Sequence, residues 1–204
     1  MFEKKRILVY KWKAYNYIDV LMAFNKLGFT CDIIEKSLDR YEDNPEFSTI
    51  LDEKLKEGIY DFTFTINYFS PVSEACQKYN IPYIYWNCDS PLLAMQHVSI
   101  FNECNVGFTF DKANVIEMNA MGVKQYFHMP LAINHERLDA ILDELPDEVE
   151  YDDDVSFVGS LYEKNSYDKM EMSMNDYLRG YLDACIEAQI NVTGGNILQR
   201  MLTV

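Results

Sequence analysis

Two hydrophobic rhythms alternate along the chain. Compact runs rich in β-branched and aromatic residues occupy 6–10, 29–34, 60–67, 81–87, 105–110 and 124–130. Between them apolar residues recur every three or four positions: Ile18, Leu21 and Met22 before Gly28, Phe47, Ile50, Leu51 and Leu55 before Gly58, and Ala75 and Cys76 after Ser70-Pro71. The same spacing returns in Leu92, Met95, Val98 and Phe101 after Pro91, and 112–122 reads as a further helix. A short apolar run bounded by turn residues is a buried strand, the wider spacing is a helix with one apolar face, and glycine stops it. Strands separated by helical stretches of about a dozen residues form βαβ units, which need a parallel sheet with right-handed crossovers. The pattern therefore predicts an α/β fold, a Rossmann-like parallel sheet flanked by helices.

The rhythm breaks at 139–154, where nine of sixteen residues are acidic and Pro146 sits among them. Such a run reads as a linker. After it 155–160 resembles a new strand with a glycine turn. Met170, Met174, Tyr177, Leu178, Tyr181, Leu182, Cys185 and Ile186 then share one face of a predicted helix, and a short strand follows near 189–192. The expected organisation is a first domain over 1–138, an acidic linker over 139–154, and over 155–204 the start of a second α/β domain too short to be complete. The apolar helix face needs cover, either by folding back or by pairing across a two-fold axis, so a monomer or weak homodimer is expected.

Composition narrows the partners. A formal net charge of −15 at pH 7 argues against nucleic acid, whose binders concentrate Lys and Arg. No stretch approaches the ~20 consecutive apolar residues of a membrane span, and the charged opening residues lead directly into a strand, so a cytoplasmic protein is expected. Cys31, Cys76, Cys88, Cys104 and Cys185 are scattered, form no C-x-x-C pair and do not cluster with histidine, which predicts reduced structural thiols and no metal. Asp152, Asp153 and Asp154 lack the spaced ligands and central glycine of a calcium loop and read as solvated linker.

The candidate chemistry gathers around Ile81-Pro82-Tyr83-Ile84-Tyr85-Trp86-Asn87-Cys88-Asp89-Ser90-Pro91, where an apolar run breaks abruptly into polar residues. Pro82 suits the start of a strand and Pro91 the first turn of a helix. Asn87, Asp89 and Ser90 then stand at the carboxyl end of a strand, the edge at which open α/β sheets bind ligands. A plainer role for Asp89 or Ser90 is to cap the helix after Pro91. Asn67 and Asp111 close neighbouring strands at the same edge. The loop after the first strand has no G-x-G-x-x-G, so no dinucleotide is expected there. Trp12 and Tyr15 stand in its place, either stacking on a sugar ring or packing the loop onto its own domain. His128 is either a ligand or base at the rim, or a hydrogen-bonded core residue.

Tyr85-Trp86-Asn87-Cys88-Asp89-Ser90-Pro91, Gly107-Phe108-Thr109-Phe110-Asp111 with Met121-Gly122, Pro130-Leu131-Ala132, and Asp154-Val155-Ser156-Phe157-Val158-Gly159-Ser160-Leu161-Tyr162 occur in one order over most of the chain. In these motifs the sequence resembles the amino-terminal half of the CgeB-like glycosyltransferases of the spore maturation protein type. The resemblance implies a GT-B architecture, two Rossmann-like domains facing a cleft, the first holding the acceptor and often the catalytic base, the second the nucleotide sugar. Asp89 would then be the catalytic base, with Trp12, Tyr15, Asn67, Trp86, Asn87, Ser90, Asp111 and His128 toward the substrate and Gly159 and Ser160 toward the nucleotide. The implied partners are a nucleotide-sugar donor and an unknown acceptor, with no resident cofactor. The second domain barely begins, so the donor site is expected to be missing and this stretch inactive alone. The alternative is a non-catalytic binding or interaction module. A flavodoxin-like or response-regulator reading is weaker, since Lys11-Trp12-Lys13 stand where response regulators carry acids.

Overall fold

The computed structural model describes residues 5–38, 44–146, 153–163, 165–198 and 201. They divide into two compact units, Met1–Ala140 and Ile141–Val204. In the first, β1 (Arg6–Lys11), α1 (Tyr17–Lys26), β2 (Thr30–Glu35), α2 (Pro45–Leu55), β3 (Phe62–Ile66), α3 (Ser70–Tyr79), β4 (Tyr83–Asn87), β5 (Asn105–Thr109), α4 (Lys112–Ala120) and β6 (Tyr126–His128) follow one another, and α5 (His135–Asp143) crosses the boundary between units. The sheet has six strands in the order β2-β1-β3-β4-β5-β6, every neighbouring pair parallel. The fold is therefore an α/β, Rossmann-like one. The chain steps from β1 outward to β2, then crosses to β3 and runs on to β6, which puts the topological switch point between β1 and β3.

Alternation along the strands divides the core. Leu8, Tyr10, Tyr83, Tyr85 and Tyr126 pack with Phe47, Leu51 and Leu55 of α2, Val72 and Cys76 of α3 and Met118 of α4. On the other face Ile7, Val9, Phe62, Phe64 and Ile66 meet Tyr17, Val20, Leu21 and Phe24 of α1, with Ile84, Trp86 and Cys88 at the margin. Gly107 of β5 has a packing reason: a Cβ there would lie 2.4 Å from the Tyr85 hydroxyl and 2.5 Å from the Tyr126 ring.

Two expectations for the later part of the first unit fail in instructive ways. The helix expected after Pro91 is two 3-10 turns, Leu93–Gln96 and Val98–Phe101, and the Ser90–Pro91 peptide is cis. Asn105 Nδ2 donates to the carbonyls of Ser99 (2.8 Å) and Ile100 (3.0 Å), and Ser99 N donates to His97 Nδ1 (3.2 Å), so side chains take the backbone groups a longer helix would use. The presumed linker starts inside α5. Its later part, 147–152, falls outside the described residues, as do 39–43 of the polar loop before α2.

The second unit holds the other differences. Residues 155–160 form no strand: Val155, Phe157 and Val158 are exposed. The single helix expected over 170–186 is two, α6 (Ser166–Glu171) and α7 (Asp176–Ile190), because Asn175 caps the second by accepting from Leu178 N at 2.8 Å. Cys185 is buried, whereas Met170, Tyr177, Leu178, Tyr181 and Ile186 stay largely exposed. No strand forms at 189–192, because α7 continues to Ile190 and Gln189 then closes a turn, donating to Val192 O (3.2 Å) and Gly195 O (3.0 Å) and accepting from Ile197 N (2.8 Å).

Candidate functional site

The switch point itself is filled by side chains. Tyr17, buried, donates its hydroxyl proton to Tyr10 O at the end of β1 and accepts from Ile66 N at 3.3 Å at the end of β3. Burial pushes the Tyr17 phenol far above its ordinary value, so it stays protonated. Trp12 donates its indole N–H to Ile66 O at 2.6 Å and sets its ring edge-on to Phe69 at 5.7 Å. It packs the loop after β1 onto the domain, as the plainer reading held, while Tyr15 beside it is fully exposed.

One strand further along, the carboxyl edge opens. Asn67 follows β3 in the left-handed conformation, φ 64°, which Asn tolerates better than other non-glycine residues. Thr65 Oγ holds the turn by donating to Asn67 O at 2.5 Å, and Asn67 N still donates to Trp86 O at 2.9 Å. The buried Asn67 amide is thereby turned across to β4, where Oδ1 accepts from Cys88 N (2.8 Å) and Asp89 N (3.4 Å) while Nδ2 donates to Asp89 Oδ2 (2.6 Å). Asp89 is exposed, and its other oxygen has no partner among the described residues. It caps no helix, since the 3-10 turn that follows starts at Leu93 with Leu92 at its cap position and no side-chain cap.

Asn16, ahead of α1, reaches the same place and donates Nδ2 to Cys88 Sγ at 3.3 Å. Burial pushes the Cys88 thiol up, which disfavours its thiolate form. Asn16 also begins a groove of about 290 Å³ that runs along α1 past Asp19, Ala23 and Lys26, with Trp86 of β4 and Ile133 also lining it. The edge carboxylate and the groove are thus joined through the Asn16–Cys88 contact.

Of the remaining candidates, Ser90, Asp111 and Asn87 do structural work. Ser90 donates to Asp111 Oδ2 at 2.7 Å, and Asp111 Oδ1 accepts from Ala113 N (2.9 Å) and Asn114 N (3.3 Å), so that Asp111 is the α4 cap and anchors the loop after β4. Asn87 lies on the opposite face of β4 from Trp86, buried, donating to Met95 Sδ (2.7 Å) and Tyr126 Oη (2.9 Å). His128 is exposed on the edge strand, 3.1 Å from Phe110 O, which corrects the core reading while keeping its hydrogen bond. Gly159 and Ser160 belong to the second unit, exposed and outside any strand or helix. Among the described residues no group of three or more His, Cys, Asp and Glu is placed to hold a metal, and no helix is long and apolar enough to cross a membrane.

Sequence reasoning missed the groove. Asn16, Asp19, Ala23 and Lys26 stand at offsets of three, seven and ten, one stripe of a helix, and that polar stripe was the available signal. No protein-family model, curated protein or solved structure matches the chain.

Proposed function

We propose that the first unit is the acceptor side of a glycosyltransferase in which Asp89 is the general base. The observation that carries this reading is the Asp89 carboxylate, exposed at the carboxyl edge with one oxygen fixed by Asn67 at 2.6 Å and the other without a partner among the described residues. Such a group can take a proton from a hydroxyl within hydrogen-bond reach. The acceptor oxygen then attacks the anomeric carbon of a nucleotide sugar, the bond to the diphosphate breaks with its electron pair leaving on the diphosphate, and the proton rests on Asp89. A donor held by a second domain, as the resemblance implies, supplies the nucleotide; no resident cofactor and no nucleic-acid partner enter. A cytoplasmic setting, where nucleotide sugars are made, accords with the five free cysteines.

The test is Asp89→Asn in the full-length protein that contains this chain, assayed for transfer from nucleotide sugars. Loss of about 10²-fold in kcat, near 2.7 kcal/mol of barrier, is expected with unchanged thermal stability. Parental turnover at parental stability removes Asp89 from the mechanism. Absence of any transfer by the parent, with sugar binding intact, favours a non-catalytic sugar-binding module.

A further inference from the structure

Helical turns begin by preference on Asn, Asp, Ser or Thr, because a short side-chain oxygen reaches the free amides of the first turn. The second 3-10 turn, Val98–Phe101, begins on His97 instead, and the imidazole does that work: Nδ1 accepts from Ser99 N at 3.2 Å. Only an unprotonated ring nitrogen can accept a backbone N–H, so the ring proton sits on Nε2. The Ser99 hydroxyl, 2.7 Å from Nδ1, gives its one proton to the same nitrogen. Tyr68, whose oxygen is 2.6 Å from Ser99 Oγ, then donates into Ser99. Ser99 and Tyr68 are both buried, so the chain of donors runs outward from the core to His97.

A proton added to this ring has only Nδ1 to go to. Nδ1 then becomes a donor, the Ser99 N–H loses its acceptor, and the Ser99 hydroxyl proton has to turn back toward Tyr68. A buried donor left without a partner is costly. Histidine is the side chain whose ordinary change of charge falls between pH 5 and 8. The turn packs on α3, which carries Cys76 and the exposed Glu74 and Lys78, with Tyr68 just ahead of it and Glu103 and Cys104 ahead of β5. Lys78 is paired with Asp52 and lies over the Tyr79 ring. Burial pushes the Tyr68 phenol and the Cys76 thiol up to about 12 and the Cys104 thiol to about 11, so these three keep their protons across pH 5–8.

We infer that His97 is a pH-sensitive latch on the loop between β4 and β5: as the neutral Nε2–H ring it closes the second 3-10 turn, and a proton on Nδ1 opens that turn at its amino end. The opening is local, because Asn105 Nδ2 still holds the carbonyls of Ser99 and Ile100. The freed end continues into the first 3-10 turn, whose Met95 meets Asn87 at the end of β4. The latch therefore acts on the loop that leaves the carboxyl edge at Asp89, whatever chemistry Asp89 performs.

Nitrogen-15 spectra of the imidazole rings and of the Ser99 amide, taken on the whole chain, test this. At pH 8 His97 is expected as the Nε2–H tautomer. Between pH 8 and pH 5 the Ser99 amide signal is expected to move in step with the His97 ring, and its hydrogen-exchange protection factor to fall about fivefold, as when a cap is lost. His128 and His135 should take up their protons without moving it. His97→Asn supplies a cap with no charge to gain, and is expected to keep Ser99 protected at both pH values. His97→Ala removes the cap and is expected to show at pH 8 the protection that the parent shows at pH 5. An Nδ1–H tautomer at pH 8, Ser99 protection that stays constant while His97 takes up its proton, or a fall in protection that persists in His97→Asn overturns the inference.

Discussion

At the scale of single residues, Asn67 does by backbone what a glycine would do and adds what a glycine cannot. Its positive φ turns the chain after β3, and its amide fixes Cys88 and Asp89. The two roles separate by substitution. Asn67→Gly keeps the turn and loses the amide, so the Cys88 and Asp89 amides are expected to lose hydrogen-exchange protection while the fold survives, with kcat of the full-length protein down about tenfold. Asn67→Ala carries the same loss plus strain at positive φ, a further ~1 kcal/mol by denaturant unfolding. Equal stability of the two variants would show that the turn is unstrained. Asn67 and Asp89 were legible because each stands where an apolar run ends. The clamp between them was not, since the residues are 22 apart and the contact depends on strand register. Gly107 gives a second test. Gly107→Ala drives a Cβ into the Tyr85 and Tyr126 rings, an overpacking worth about 1–3 kcal/mol, read as a lower urea midpoint with unchanged m. Tyr85→Phe removes a buried hydroxyl that has no partner among the described residues, and is expected to stabilise slightly and to relieve part of the Gly107→Ala loss, since the added methyl would approach that hydroxyl.

At the scale of elements, the inner strands were legible because they are short, largely apolar runs, of which β3 is buried on both faces throughout, while the edge strands β2 and β6 are in large part exposed. Misreadings gathered where a side chain captured the backbone: Asn105 after the 3-10 turns, Asn175 at the break between α6 and α7, Gln189 past α7. Spacing of apolar residues carries no information on such bonds. Helix α5 was hidden by its composition, and its place depends on an ion pair 118 residues apart in sequence, Asp19 with Arg137. The Arg137 guanidinium holds the Asp19 carboxyl below its ordinary value. A carboxylate with a lowered folded pKa contributes stability that is complete above about pH 4 and fades as the pH falls through the folded value. The pair is partly exposed and screened by solvent, so Arg137→Leu is expected to lower Tm only slightly. Melting curves should show that difference at pH 7 and its progressive loss as the pH falls below about 4. A difference independent of pH would assign the effect to Arg137 packing and not to charge.

At the scale of the whole molecule, a charge of −15 opposes self-association while the second unit offers apolar surface that favours it. Tyr177, Leu178, Ile186 and Ile190 of α7 are exposed together with Met170 of α6. An apolar patch of that kind drives pairing once repulsion between like-charged copies is weak enough. Screening sets that balance, because the Debye length falls from about 10 Å at 0.1 M salt to about 3 Å at 1 M. The expectation is a chain that light scattering reports as monomeric in dilute buffer and moving toward twice the monomer mass as sodium chloride rises. Leu178→Glu adds a charge to the middle of the patch at an exposed position, and should hold the chain monomeric at high salt with an unchanged circular dichroism spectrum. If the variant instead melts earlier as a monomer, Leu178 is part of a packed core and the patch is not an interface. A parental chain that stays monomeric across the whole salt range shows that the stripe is simply solvated, and the homodimer falls with it.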